Sequence, residues 1–150
     1  MHAPLTALVL SGGGARGAYE AGVVAGLIDV LGHAHFDLIA GTSVGAINAA
    51  YLASHSQKPD FQIGELLELW THLSIRAHLR PTRHPFRDRS FLNVDPFVQV
   101  VKEGVDWTSL ASNIDSSKLK GLFIAAHEVE SGRTAVFADL SPDSTFSPSS

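Results

Sequence analysis

The chain has no cysteine, which excludes disulfide staples and thiolate metal sites. It has no apolar run of the roughly 18 residues needed to span a bilayer. Its first ten residues hold no lysine or arginine, and their apolar run ends at Ser11-Gly12-Gly13-Gly14, so they carry no secretory-signal pattern. Positive charge is scarce: 11 Lys and Arg stand against 15 Asp and Glu, and the net charge of −4 argues against nucleic acid as a partner. Charged residues make up only 17 % and hydrophobic ones 45 %, the balance of a packed domain rather than a disordered chain. These absences fit a cytoplasmic protein, or one peripheral to a membrane surface. No internal repeat is visible, and 150 residues suffice for one domain with a sizeable core.

What is present is an alternation of short apolar runs and helical patterns. Residues 5–10 read as a buried strand, 15–31 as a helix, 36–40 as a second strand and 44–54 as an alanine-rich helix. That order marks an α/β domain with a mainly parallel sheet. In the first helix Ala18, Gly22 and Gly26 recur every fourth residue. An interior glycine costs about 0.5–1 kcal/mol relative to alanine, so this small face is expected to pack closely on the sheet, with Val23, Leu27 and Val30 beside it. Ile63, Leu66, Leu67, Trp70 and Leu73 form one stripe of an amphipathic helix, with Trp70 read as core. Asp95-Pro96 has the form of an N-cap with proline in the first turn, and the helix is expected to run to about Glu103. Residues 106–117 read as a short helix and loop. Residues 119–129 and 134–140 read as two strands joined at Glu130-Ser131-Gly132-Arg133. The serine- and proline-rich residues 141–150 lack periodicity and are read as a disordered tail or cut point closing a domain of residues 5–150.

Two glycine-framed turns carry the chemistry. Gly41-Thr42-Ser43-Val44-Gly45 lies between a strand and a helix, the spacing that presents a serine on a sharp turn. A nucleophilic serine must stand clear of the sheet. That calls for a strained backbone at Ser43 and little bulk at Gly41 and Gly45. Val44 offers its N–H at the helix start, where an oxyanion is stabilised. The competing reading is a plain turn with Ser43 as a helix cap. The other turn, Gly12-Gly13-Gly14-Ala15-Arg16-Gly17, offers N–H groups at a helix start suited to negative charge. Gly12, Gly14 and Gly17 also match the dinucleotide-binding spacing. That reading needs an acidic residue after the second strand, where this chain has Gly41-Thr42-Ser43. No Gly-Lys-Ser/Thr sequence occurs, which excludes a nucleotide-hydrolase phosphate loop. Residues 12–17 therefore read best as an oxyanion hole, with Gly13 and Gly14 as donors. Arg16 either braces the loop, meets an anionic head group, or is a plain surface residue.

In this order the two motifs resemble those of the bacterial patatin-like phospholipase family. The stretches Leu8-Val9-Leu10-Ser11-Gly12-Gly13-Gly14-Ala15-Arg16-Gly17-Ala18-Tyr19 and Phe36-Asp37-Leu38-Ile39-Ala40-Gly41-Thr42-Ser43-Val44-Gly45-Ala46-Ile47-Asn48-Ala49 carry the likeness. It is close over the first third of the chain and loose beyond. The resemblance implies a three-layer α/β/α fold with a mainly parallel central sheet, and hydrolysis of lipid or phospholipid acyl esters without metal or cofactor. It implies a Ser–Asp dyad in which Ser43 is the nucleophile and an aspartate the base, with residues 12–17 as the oxyanion hole. The family's aspartate stands in a later Asp-Gly-Gly or Asp-Gly-Ala motif, and this chain has no Asp-Gly dipeptide. Asp139, near a strand end, is left as a substitute against the plainer reading of a turn residue, and Asp143 ranks below it. The chain is accordingly read as the front portion of such an enzyme. The alternative is an inactive fragment that binds lipid or a partner, and a dinucleotide-binding domain ranks behind both.

Other residues have plainer readings. His33 and His35 sit two apart in a turn with no further ligands nearby in sequence, too few for a metal site. His127 on a strand reads as structural. Arg76, Arg80, Arg83, Arg87 and Arg89 form a basic stretch that could meet lipid phosphates at a membrane surface. A solvated loop is the favoured reading.

Overall fold

The computed structural model of the chain describes residues 4–72, 80–81, 92–93, 95–128 and 130–144. The apolar runs become strands and the periodic segments become helices. In order these are β1 (Ala7–Leu10), α1 (Arg16–Leu31), β2 (Leu38–Thr42), α2 (Val44–His55), α3 (Ile63–His72), β3 (Arg80–Pro81), β4 (Leu92–Asn93), α4 (Asp95–Gly104), α5 (Trp107–Asp115), β5 (Gly121–Glu128) and β6 (Arg133–Leu140). One sheet has the order β1-β2-β5-β6, and β3 and β4 form a separate short pair. β1, β2 and β5 run parallel, with Leu10 beside Gly41 and Thr42 beside Ala125. β6 returns antiparallel to β5 through the Glu130–Arg133 turn. This is an α/β fold built on a mostly parallel sheet.

The register puts Leu10, Ile39 and Leu122 on one face, and all three are buried. α2 lies against that face across β1, β2 and β5, and α1 and α5 flank it. A helix enclosed on several sides must be apolar all round and slender. α2 meets this with Ala49, Ala50 and Ala53, and nearly every residue from Gly45 to Ser54 is buried. Phe36, Leu66 and Leu119 close the core around it, and Leu52 of α2 itself is fully buried. The opposite face carries the exposed Val9 and Val136. Among the described residues the helical layer covers one face of the sheet.

α1 corrects an expectation. Its buried residues are Gly17, Ala21 and Val24. Gly22 and Gly26 face open space, and Val23, Leu27 and Val30 are exposed. The helix is clamped at its first turn, where a Cβ on Gly17 would stand 2.5 Å from the Trp70 ring. With Gly17 facing inward, a rotation of about 100° per residue carries positions 21, 24 and 28 inward and positions 18, 22 and 26 outward.

The start of the serine- and proline-rich segment is packed. Ser141 is buried, and the Asp143 carboxylate accepts hydrogen bonds from Ser117 Oγ at 2.6 Å, Ser141 Oγ at 2.6 Å and Lys120 Nζ at 3.2 Å. These donors hold its carboxyl well below the usual carboxylate range. A patternless composition here conceals a latch that ties the end of β6 to the start of β5.

Candidate active site

β2 runs two residues further than its apolar pattern, through Gly41 and Thr42, so the chain turns into α2 at a single residue. That residue is Ser43, with φ 54° and ψ −125°. A non-glycine residue in such a conformation stores about 1–3 kcal/mol and persists only where its surroundings enforce it. The flanking glycines do so. A Cβ on Gly41 would stand 2.4 Å from the Gly45 carbonyl oxygen, so α2 folds directly over the end of β2. A Cβ on Gly45 would stand 2.5 Å from the Ser11 oxygen and 2.6 Å from the Leu10 oxygen, so the first turn of α2 rests on the end of β1. Thr42 Oγ1 donates to the Ala125 carbonyl at 3.2 Å and ties the turn to β5. Ser43 occupies the N-cap position, but its side chain does not cap α2. The capping-serine reading therefore fails, and the hydroxyl stands exposed at the sheet's carboxyl end.

The glycine loop approaches the same point. A Cβ on Gly12 would lie 3.1 Å from Ser43 Cβ, and one on Gly17 would lie 3.1 Å from Val44 Cβ. Gly14 adopts φ 59°, a left-handed turn that glycine reaches without strain. Tight turns then close the loop, with Arg16 N–H donating to Gly13 at 3.2 Å and Gly17 N–H to Gly14 at 3.0 Å. The Gly13 and Gly14 N–H groups bond no described backbone carbonyl. α1 likewise begins at Ala15 without a side-chain cap. Two uncapped helix starts thus meet beside one exposed hydroxyl, an arrangement that favours developing negative charge. The Arg16 side chain lies along Gly13, its Cδ 2.9 Å from where a Cβ would be.

A buried asparagine joins the two motifs. Asn48, fully buried in α2, donates through Nδ2 to the Gly17 carbonyl at 3.0 Å and accepts from Trp70 Nε1 at 2.7 Å. Trp70 is therefore a polar partner as well as core. Leaving a buried donor or acceptor unpaired costs about 1–3 kcal/mol. Asn48→Ala orphans both partners and is expected to lower stability by at least about 2 kcal/mol. Urea unfolding followed by tryptophan fluorescence checks this, and an unchanged midpoint would refute the role.

The acids and histidines are placed elsewhere. Asp139 pairs with Leu122, which is level with Ile39. That position is four residues short of Ser43 and two strands across, roughly 13 Å along the sheet and roughly 10 Å sideways. The structure does not bring Asp139 to Ser43, and Asp143 sits in the latch near the start of β5. Asp37 immediately precedes β2 and accepts from the Thr6 N–H at 2.8 Å, and among the described residues no acid stands at the far end of β2, where a dinucleotide ribose would need one. His127 lies at the exposed far end of β5, two residues past the partner of Thr42, and His35 pairs with Gln57. Among the described residues no acid or histidine bonds the Ser43 hydroxyl. In the basic stretch Arg76, Arg83, Arg87 and Arg89 lie outside the described residues, as does Leu73. No helix among the described residues is long and apolar enough to cross a membrane.

A cGAMP-activated phospholipase of Pseudomonas aeruginosa (strain BWHPSA011 / Pa011) is 48% identical over 64 residues, a match taking in 41% of this chain and 19% of that protein. No solved structure matches. The family model described as patatin-like phospholipase matches residues 8–147, nearly the whole of the sheet and both glycine turns, and the chain belongs to that family.

Proposed function

We propose that this chain supplies the nucleophile and oxyanion hole of a lipid acyl hydrolase. The observation that carries the reading is Ser43 itself: strained, exposed and uncapped at φ 54°, with the backbone of Gly12 against its Cβ. In this reading Ser43 Oγ attacks the ester carbonyl, and its proton passes to a base. The N–H groups of Gly13, Gly14 and Val44 receive the oxyanion. The intermediate collapses by expelling the alcohol and leaves Ser43 acylated, and water then releases the fatty acid. The family resemblance makes the base an aspartate, which the described residues do not bring to Ser43. The relative is activated by cGAMP according to its name, so that nucleotide is the first effector to add.

The test is a fluorophosphonate probe on the folded chain, with the labelled peptide mapped, and fatty-acid release from phosphatidylglycerol vesicles with and without cGAMP. Label on Ser43 together with release supports the hydrolase. Label on another residue removes Ser43 as nucleophile, and none on a folded chain means that the base is not assembled beside Ser43 and counts against hydrolysis by this chain. The second reading, an inactive lipid-binding fragment, is favoured by the absence of a base beside Ser43 among the described residues. It predicts co-sedimentation with the vesicles and no release.

A further inference from the structure

We propose that Glu20 is the positioning residue of the glycine loop; this rests on the reading of that loop as the oxyanion hole. Glu20 lies in α1, nine residues beyond Ser11. Its Oε1 accepts both the Ser11 N–H at 2.6 Å and the Ser11 hydroxyl at 2.9 Å. Bonds to a carboxylate are short and about twice as strong as neutral ones. Its other oxygen, Oε2, is buried and has no hydrogen-bond partner among the described residues. A buried acceptor left unpaired is costly, and among the described residues the only hydrogen bonds that hold this carboxylate come from Ser11.

Ser11 is the pivot between the two turns. Its carbonyl oxygen lies 2.5 Å from where a Cβ on Gly45 would be, so it bears on the first turn of α2. The next residue, Gly12, bears on Ser43. Fixing the Ser11 peptide therefore fixes where Gly12, Gly13 and Gly14 stand relative to the nucleophile. The negative charge of Glu20 would oppose an oxyanion nearby, so its role is to hold geometry. A glutamine carbonyl can accept the same two donors.

The experiment compares wild type, Glu20→Ala, Glu20→Gln and Ser11→Ala as full chains. It reads fluorophosphonate labelling rate together with amide resonances of uniformly ¹⁵N-labelled protein. Glu20→Ala is expected to slow labelling by on the order of 10- to 100-fold, the scale of a small misplacement of catalytic groups, and to move the Gly12, Gly13 and Gly14 resonances. Where vesicle hydrolysis is measurable, the loss falls on kcat and leaves KM in place. Glu20→Gln restores both rate and resonances. Ser11→Ala, which keeps the N–H bond, moves the same resonances less and slows labelling by a smaller factor. Unchanged labelling and resonances in Glu20→Ala overturn the proposal, as does a Glu20→Gln variant as slow as Glu20→Ala. If Glu20→Ala fails to fold, the glutamine and Ser11→Ala variants decide in the same terms. Absence of labelling in wild type counts against the hydrolase reading of this chain. The resonances then still judge Glu20: displaced in the alanine variant and restored by glutamine, or unmoved.

Discussion

Replacing Ser43 with glycine is expected to abolish fluorophosphonate labelling and at the same time to raise the unfolding midpoint. The two effects have separate causes at one residue. Labelling needs the hydroxyl, so Ser43→Gly and Ser43→Ala should both lose it entirely. Stability responds to the backbone. Ser43 holds φ 54° and ψ −125°, a conformation costing about 1–3 kcal/mol for a side-chain-bearing residue. Glycine adopts it without strain but gives back about 0.5–1 kcal/mol through its freer unfolded state. A net gain of about 1 kcal/mol, or about 2–4 °C in Tm for a domain of this size, is expected for Ser43→Gly. Alanine keeps the strain, and the hydroxyl it removes caps nothing, so Ser43→Ala should melt close to wild type. Calorimetry on the three proteins reads this directly. A glycine variant that melts below wild type would mean that the turn is unstrained. Labelling that survives in Ser43→Ala would place the nucleophile elsewhere. The opposed signs are what a functional site predicts: the protein tolerates instability where the hydroxyl must be presented.

Much of this site is legible in the residues. Short apolar runs ending in glycine mark β1 and β2, and the five-residue spacing from Gly41 to Gly45 requires a sharp turn whatever follows. The contacts that set the turns in place are less legible, because they join residues that no local pattern connects. Glu20 reaches Ser11 across a loop, and Asn48 reaches Gly17 and Trp70 from other helices. Asn48 alone left a trace, as an amide in the middle of a mostly apolar, alanine-rich helix. The orientation of α1 was illegible for another reason. Positions 17, 21, 24 and 28 and positions 18, 22 and 26 are both small or apolar, so periodicity fits either face. Only the docking of Gly17 under Trp70 decides. The latch at Asp143 was hidden because its partners, Ser117, Lys120 and Ser141, are residue types common in loops of any kind. The exposed Val9 on the edge strand and the exposed Val23, Leu27 and Val30 on α1 have the composition of core. The pattern recorded their apolar character correctly and their surroundings wrongly.

The same added methyl group should have opposite effects at two glycines of this fold. Gly22 lies in the middle of α1 with nothing within 4 Å of a new Cβ. Gly22→Ala therefore adds only helix propensity and is expected to stabilise the chain by about 0.5–1 kcal/mol. Gly45 is also helical, so alanine brings a similar local gain there. Its Cβ, however, would stand 2.5 Å from the Ser11 oxygen and 2.6 Å from the Leu10 oxygen. Both are backbone atoms at the end of a paired strand, and neither can swing aside as a side chain could. Relief requires α2 to lift from β1, which exposes part of the core beneath it. Overpacking of this kind costs about 1–3 kcal/mol and occasionally more, and the rigidity of both partners puts Gly45→Ala at about 3 kcal/mol. The lift also draws Ser43 away from Gly12. Labelling should thus fall further than the loss of folded protein accounts for. Urea titrations at unchanged m-value give the two stabilities, and labelling normalised to the folded fraction isolates the geometric part. The two sites touch different surroundings, so their effects should add in the double variant within about 0.5 kcal/mol. A Gly45→Ala protein as stable and as reactive as wild type would show that the strand end yields. The close approach of the two turns would then have no part in holding the serine.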